Sequence, residues 1–158
     1  MKKILLALVA VMTMISVQAE TGDLSLGGQF NYGSKRSMIG LGVQLQYEPV
    51  TNFRFAPEFI YYFESDDVSA INANFNMHYL IRTSTSSAVY PIAGFSYAHY
   101  SWDNYLGYDD EDKFGANLGI GFEYALARNF SLYTEERFQI LGNHYNQVVT
   151  ALGIKYNF

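Results

Sequence analysis

Apolar and polar residues alternate along most of this chain, and this alternation constrains the fold more than any other feature. In INANFNMHY, residues 71–79, the odd positions are apolar and the even positions are asparagine or histidine. Successive side chains of a β-strand point to opposite faces, so a period of two predicts a strand. Eight such segments occur, around residues 24–32, 39–48, 53–63, 71–79, 89–101, 115–124, 130–140 and 150–158. Their length of about ten residues suits a strand that crosses a membrane at a tilt.

The first 19 residues have the features of a signal peptide. Two lysines precede an apolar run from Ile4 to Val17, and Val17, Gln18 and Ala19 fit a small-x-small cleavage site. The run is shorter than the roughly 18 consecutive apolar residues expected of a membrane-spanning helix. We therefore predict a cleaved signal peptide at residues 1–19 and a single domain at residues 20–158.

The amino-acid composition excludes several classes of protein for this chain, which is predicted to be exported. Cysteine is absent, so a disulfide framework is excluded and stability has to come from packing and backbone pairing. Without Lys2 and Lys3, 8 basic residues remain against 15 acidic ones, which argues against a nucleic-acid partner. The three histidines have no metal-ligand spacing. We predict neither a metal site nor a cofactor.

The alternation alone does not say which face lies inside. A soluble barrel of the lipocalin kind turns its apolar face inward, whereas a membrane barrel turns it outward to lipid. Here the polar face is rich in glycine, asparagine, glutamine and charge, and the apolar face has aromatic residues near the strand ends, as in an interfacial girdle. The connections also tend to alternate between short and longer, acidic ones. We predict an all-β fold: an eight-stranded antiparallel up-and-down transmembrane β-barrel with a polar, plugged interior.

The C-terminal segment Thr150–Phe158 has apolar residues at every second position and ends on phenylalanine. Together with the signal peptide and seven upstream strands, it resembles the small OmpA/OmpX-like outer-membrane β-barrels of the porin family. The resemblance implies a monomer in the outer membrane of a Gram-negative bacterium, in contact with lipid and lipopolysaccharide. It also implies that Tyr156 and Phe158 are read by the barrel-assembly machinery.

Six charged residues are predicted to face the lumen. Eight strands enclose a space just wide enough for side chains to fill it, so inward charges must be paired. We therefore predict a structural salt-bridge network, and an ion or proton path along the same residues is the alternative. The six residues are Arg54, Glu58, Glu123, Glu135, Arg137 and Lys155.

Three residues fit the simple strand pattern badly. Pro57 and Pro91 lie inside predicted strands, where each removes a backbone donor, and local bulges are expected to accommodate them. Glu136 would face lipid unless the register shifts by one residue after Thr134.

Two groups of residues near the outer end are candidate sites. Asp109, Asp110, Glu111 and Asp112 could gather a divalent cation, but they lack the spacing of an EF-hand, and a solvated loop is favoured.

His99 and Ser101 lie two residues apart on one strand face and resemble the H-x-S arrangement of outer-membrane lipid A deacylases, with Glu111 as the carboxylate that would orient the histidine. Trp102 stands where that family has asparagine.

The preferred function is a non-enzymatic outer-membrane barrel with an envelope-structural or surface-interaction role, for which no catalytic residue is assigned. A lipid A deacylase-like enzyme that uses His99 and Ser101 is the alternative. A soluble lipocalin-like ligand-binding barrel is the third.

Overall fold

The computed structural model describes residues 23–65, 68–102, 110–142 and 144–158; the predicted signal peptide lies outside these ranges. None of the described segments is a helix long and apolar enough to cross a membrane. The strands are β1 (Asp23–Gly33), β2 (Met38–Val50), β3 (Phe53–Ser65), β4 (Val68–Tyr79), β5 (Ile81–Arg82), β6 (Ser87–Trp102), β7 (Glu111–Ala125), β8 (Phe130–Ile140) and β9 (Gln147–Asn157).

The strands form one closed antiparallel ladder. Strand β1 pairs with both β2 and β9, and β4 pairs with both β3 and β6, so no edge of the sheet is left open. The short β5 continues β4, because Ile81 opposite Val89 keeps the register of His78 opposite Ile92. Together β4 and β5 act as one strand. The predicted eight-stranded antiparallel barrel is confirmed.

Pro57 and Pro91 lie in gaps of the ladder rather than at bulges. Between β2 and β3, pairing stops at Gln44 opposite Glu58 and resumes in the same register at Tyr47 opposite Phe55, which leaves Pro57 inside the gap. Pro91 is on β6 and lies opposite the interruption between β4 and β5. The predicted bulges at these prolines are wrong, because a missing N–H removes a hydrogen bond without inserting a residue.

The two faces of the barrel have opposite character. Strand β8 alternates between exposed and buried residues over its whole length, so the register does not shift after Thr134. Glu136 does point outward, where its carboxylate accepts a hydrogen bond from the Thr150 hydroxyl at 2.8 Å. In β6, Pro91 and Phe95 point outward, and Phe95 is 70% exposed. A soluble ligand-binding barrel is excluded, because large apolar side chains cover the outer surface and the middle of the lumen is filled by polar and charged side chains.

Inward glycines make room for large inward side chains. Tyr133 reaches over Gly27 and Gly153, and the ring of Tyr90 lies over Gly121, so that a methyl group at any of the three positions would overlap a tyrosine. Both tyrosines are almost fully buried. By contrast, a methyl group on the outward Gly28 would meet no atom within 4 Å.

We expect Gly153→Ala to lower the free energy of unfolding by about 1–3 kcal/mol, because the new methyl group overpacks Tyr133. Gly28→Ala is the matched control and should change it by no more than about 0.5 kcal/mol. Urea titration of both variants in lipid vesicles measures the difference. Equal effects of the two substitutions would contradict the packing described for Tyr133.

Candidate functional site

An ion pair crosses the centre of the lumen. Arg137 on β8 pairs with Glu58 on β3, and these two strands lie on opposite sides of the eight-stranded ring. The Glu58 carboxylate also accepts hydrogen bonds from Gln29 at 2.9 Å and from Asn74 at 2.7 Å. All four side chains are buried. The central charges are therefore paired and additionally hydrogen-bonded, as buried charges require.

Glu135 extends this central cluster along β8. Its carboxylate lies 3.6 Å from Nε of Arg137 and accepts hydrogen bonds from the Tyr90 hydroxyl at 3.1 Å and from Gln44 at 3.4 Å. His78 stacks on Tyr90 at 4.7 Å between ring centres, and its Nε2 lies 3.9 Å from Glu135. Polar side chains from four different strands, β2, β4, β6 and β8, thus meet around one carboxylate.

A second cluster fills the end of the lumen that lies near the short turns. Arg54 binds Glu123 through two nitrogens, at 2.7 and 3.2 Å, and Lys155 binds the same carboxylate at 2.8 Å. Glu48 lies 3.8 Å from Arg54 and accepts from Arg82 at 2.8 Å. A cavity of about 620 Å³ opens below this cluster at the mouth of the barrel.

The structure brings the six predicted lumen charges into these two clusters. Glu58, Glu135 and Arg137 form the central one, and Arg54, Glu123 and Lys155 form the other. Glu48 and Tyr90 also belong to these clusters but were not predicted from the sequence. Glu48 lies in the inward phase of β2 and could have been found by parity, whereas Tyr90 was hidden because both faces of β6 carry aromatic residues.

The outer end of the lumen is apolar, which the sequence analysis did not anticipate. We call this cluster the outer apolar plug. Its inward side chains are almost fully buried, and Trp102 and Tyr145 pack against it. Apolar inward residues follow apolar outward ones here, so the alternation is lost. The plug consists of Met38, Ile60, Tyr62, Val68, Ala70, Ala98, Tyr100 and Leu141.

The acidic residues of the predicted cation site do not converge. Asp109 lies outside the described residues. Glu111 accepts a hydrogen bond from the Tyr145 hydroxyl, which raises the pKa of Tyr145, and it also contacts Lys113 at 3.2 Å. Asp112 follows it on β7 and therefore points to the opposite face. Within the described ranges no group of three or more histidine, aspartate or glutamate side chains could hold a metal ion.

Asp112 instead joins the second candidate site, on the outward face near the rim. The Ser101 hydroxyl lies 3.2 Å from Nε2 of His99, and Nδ1 of His99 lies 2.7 Å from a carboxylate oxygen of Asp112. Tyr97 donates a hydrogen bond to the same oxygen at 2.7 Å. The assignment of Glu111 as the orienting carboxylate is wrong, because strand parity puts Glu111 on the other face of β7. We call His99, Ser101 and Asp112 the rim triad.

The C-terminal Phe158 lies on the outer surface. Its backbone N–H donates to the carbonyl of Leu24 at 3.0 Å, and its ring contacts Tyr156 edge-on at 5.2 Å between ring centres. The Phe158 side chain is 71% exposed, so it contributes little to packing inside the barrel.

A closed antiparallel barrel with an apolar outer surface and a polar lumen defines the class of transmembrane β-barrels. The model of the outer membrane protein β-barrel domain family matches residues 4–158, and the chain belongs to this family. It is a protein of the Gram-negative outer membrane, in contact with its lipids and lipopolysaccharide. No curated protein matches the chain significantly.

Several solved structures share the fold. The N-terminal β-barrel domain of Pseudomonas aeruginosa OprF has a TM-score of 0.75 at 18% identity, with 87% of this chain and 100% of that one covered. Neisserial surface protein A has a TM-score of 0.65 at 17% identity, covering 87% and 96%. The Yersinia pestis attachment invasion locus protein Ail has a TM-score of 0.56 at 14% identity, covering 87% and 97%. The chain is similar to these proteins in fold alone.

We expect Arg137→Met to lower the free energy of unfolding by about 3–5 kcal/mol, because it leaves Glu58 and Glu135 buried without their shared cation. Arg128→Met, at an exposed turn, is the control and should have an effect below about 0.5 kcal/mol. Adding Glu58→Gln to Arg137→Met should recover part of the lost free energy of unfolding, because it removes one of the two buried carboxylates that have no cation. Urea unfolding in vesicles measures all three, and an unchanged midpoint for Arg137→Met would contradict the network.

Proposed function

We propose that the chain is a closed barrel with an envelope-structural or surface-interaction role, and that its lumen neither conducts solutes nor carries out a reaction. The observation that supports this most directly is the ion pair of Arg137 with Glu58 across the lumen centre. It links opposite walls, and a solute would have to break it to pass. Breaking a buried ion pair without replacing its contacts is strongly unfavourable.

The contents of the rest of the lumen support the same proposal. Above the ion pair, the outer apolar plug consists mostly of apolar side chains, and the hydroxyls of Tyr62 and Tyr100 are too few to replace the water around an ion. Below it, Glu123 holds Arg54 and Lys155 together, so these charges are already satisfied. The lumen therefore resembles a packed protein core with internal salt bridges, and it braces the wall from inside.

The connection at the outer rim of the barrel supports a surface-interaction role. The long connection between β6 and β7 leaves from the rim near the triad, and its described end carries Asp110. Two of the structurally similar barrels are named for the cell surface or for attachment. We propose that this end of the barrel contacts the surroundings of the cell.

We also propose that the protein is a monomer and that its last strand is recognised by the barrel-assembly machinery. The ladder closes within one chain, so no second copy is required to satisfy its backbone. Phe158 is well placed for recognition, because its side chain is exposed and its loss would cost little internal packing.

We expect the folded protein to show no steady conductance in planar lipid bilayers, because paired charges and the plug block the lumen. The preparation is first checked for folding by its faster gel migration before heating. Large, stable channels from protein that passes this check would contradict the closed-lumen proposal.

We expect Phe158→Ala to reduce the amount of assembled barrel in the outer membrane several-fold while export to the periplasm continues. Phe95→Ala is the matched control, since Phe95 is a phenylalanine of almost equal exposure that faces outward within β6. Quantifying the heat-modifiable form in membrane fractions distinguishes the two. Equal assembly of both variants would remove the proposed recognition role of Phe158.

A further inference from the structure

The rim triad is a continuous hydrogen-bonded chain from a hydroxyl to a carboxylate. With Nδ1–H of His99 donating to Asp112, Nε2 is free to accept the proton of the Ser101 hydroxyl. This is the arrangement in which a histidine activates a serine as a nucleophile and a carboxylate fixes the tautomer. Tyr97 also donates to Asp112 and holds the carboxylate in place.

Paired strands fix the backbone positions of all three residues. His99 and Ser101 lie two residues apart on one face of β6, and Asp112 on β7 is the direct register partner of His99. Ser101 in turn pairs with Ser69 on β4. The triad is therefore built on the closed ladder, which favours a constant geometry.

The position of the triad at the membrane surface favours a lipid as the substrate. It lies on the outward face at the outer end of β6, one step above the contact between Tyr97 and Phe114, whose rings are 4.9 Å apart. Phe114 is 77% exposed and belongs to the aromatic belt at the membrane surface. Side chains at this depth meet lipid head groups and the ester carbonyls next to them. His99 is itself partly exposed on this side.

A purely mechanical brace between β6 and β7 accounts for only part of the arrangement. The contact of His99 with Asp112 would suffice for it. The Ser101 contact adds no link between strands, because Ser101 lies on the same strand as His99. Asp110 lies 3.8 Å from Nε2 of His99, where its charge would stabilise a protonated imidazole.

We propose that Ser101, His99 and Asp112 form a serine hydrolase site that cleaves acyl esters of outer-leaflet lipids. This goes beyond the structural role proposed above and does not depend on it. In this site Ser101 is the nucleophile, His99 is the general base and acid, and Asp112 is the residue that positions His99.

The reaction needs only the lipid ester and water. The Ser101 oxygen attacks the ester carbonyl as its proton passes to Nε2 of His99, and the bond to the alcohol breaks as His99 returns that proton to the leaving oxygen. Water then attacks the acyl-serine, giving one proton to His99, and this proton returns to Ser101 as the fatty acid leaves. The net change is ester plus water to carboxylic acid plus alcohol.

The test uses the full-length folded barrel in detergent with a fluorophosphonate probe, followed by peptide mass spectrometry. We expect the probe to modify Ser101, and labelling to fall to background in Ser101→Ala and at least tenfold in His99→Ala. Ser69→Ala is the matched control, because Ser69 is the neighbouring serine on β4, and it should label like the wild type. Faster gel migration before heating shows that each variant is folded.

The role of Asp112 in positioning His99 is tested with a measurement that a purely structural residue would not affect. We expect Asp112→Asn to slow labelling by about a hundredfold, because it no longer favours the required histidine tautomer, and Asp112→Glu to restore part of the rate. Vesicles of lipopolysaccharide and of phospholipid then show which ester is cleaved, by the fatty acid released. Absence of probe labelling and of release from both vesicles, or activity that survives Ser101→Ala, would overturn the site and leave the closed-lumen proposal unaffected.

Discussion

The ion pair between Arg137 and Glu58 is the interaction on which the rest of the lumen depends. It joins opposite walls of a barrel that is too narrow for water to solvate isolated charges. Because Glu58 also accepts from Gln29 and Asn74, strands β1, β3, β4 and β8 are tied to one buried point. The neighbouring glycines follow from this crowding, since long polar side chains and tyrosine rings need space that another side chain would occupy.

Strand alternation explains how much of this could be predicted. Alternation with a period of two was enough to predict the strands, the outward apolar face and the inward direction of all six lumen charges. Each of these depends only on whether a residue is at an odd or an even position in its strand. Alternation failed where both faces have the same character. In β6 the inward Tyr90 is flanked by apolar neighbours, and in β3 the plug residues Ile60 and Tyr62 continue an apolar run. There, burial depends on depth along the barrel, which parity does not encode.

The candidate sites show the same division. His99 and Ser101 could be placed on one face from sequence, because they belong to one strand. Their carboxylate could not, since it depends on the register between β6 and β7, which residue alternation within one strand does not determine. Asp112, which contacts His99, and Glu111, which contacts Tyr145, are adjacent on β7. An error of one residue in the predicted register therefore exchanges them. The acidic run that looked like a cation site is thereby divided between the two faces of a strand.

The central claim is that charged residues face a closed lumen while their sequence neighbours face lipid. The natural chain has no cysteine, so single cysteines carrying a nitroxide can be introduced one at a time along β8. Collision with dissolved oxygen, which concentrates in lipid, and with a water-soluble nickel complex reports the surroundings of each label. The account predicts oxygen maxima at Leu132, Thr134 and Phe138, with low access of both agents at Tyr133, Glu135 and Arg137. Oxygen maxima at Tyr133, Glu135 and Arg137 instead, or ready access of the nickel complex to Glu135 and Arg137, would contradict the account.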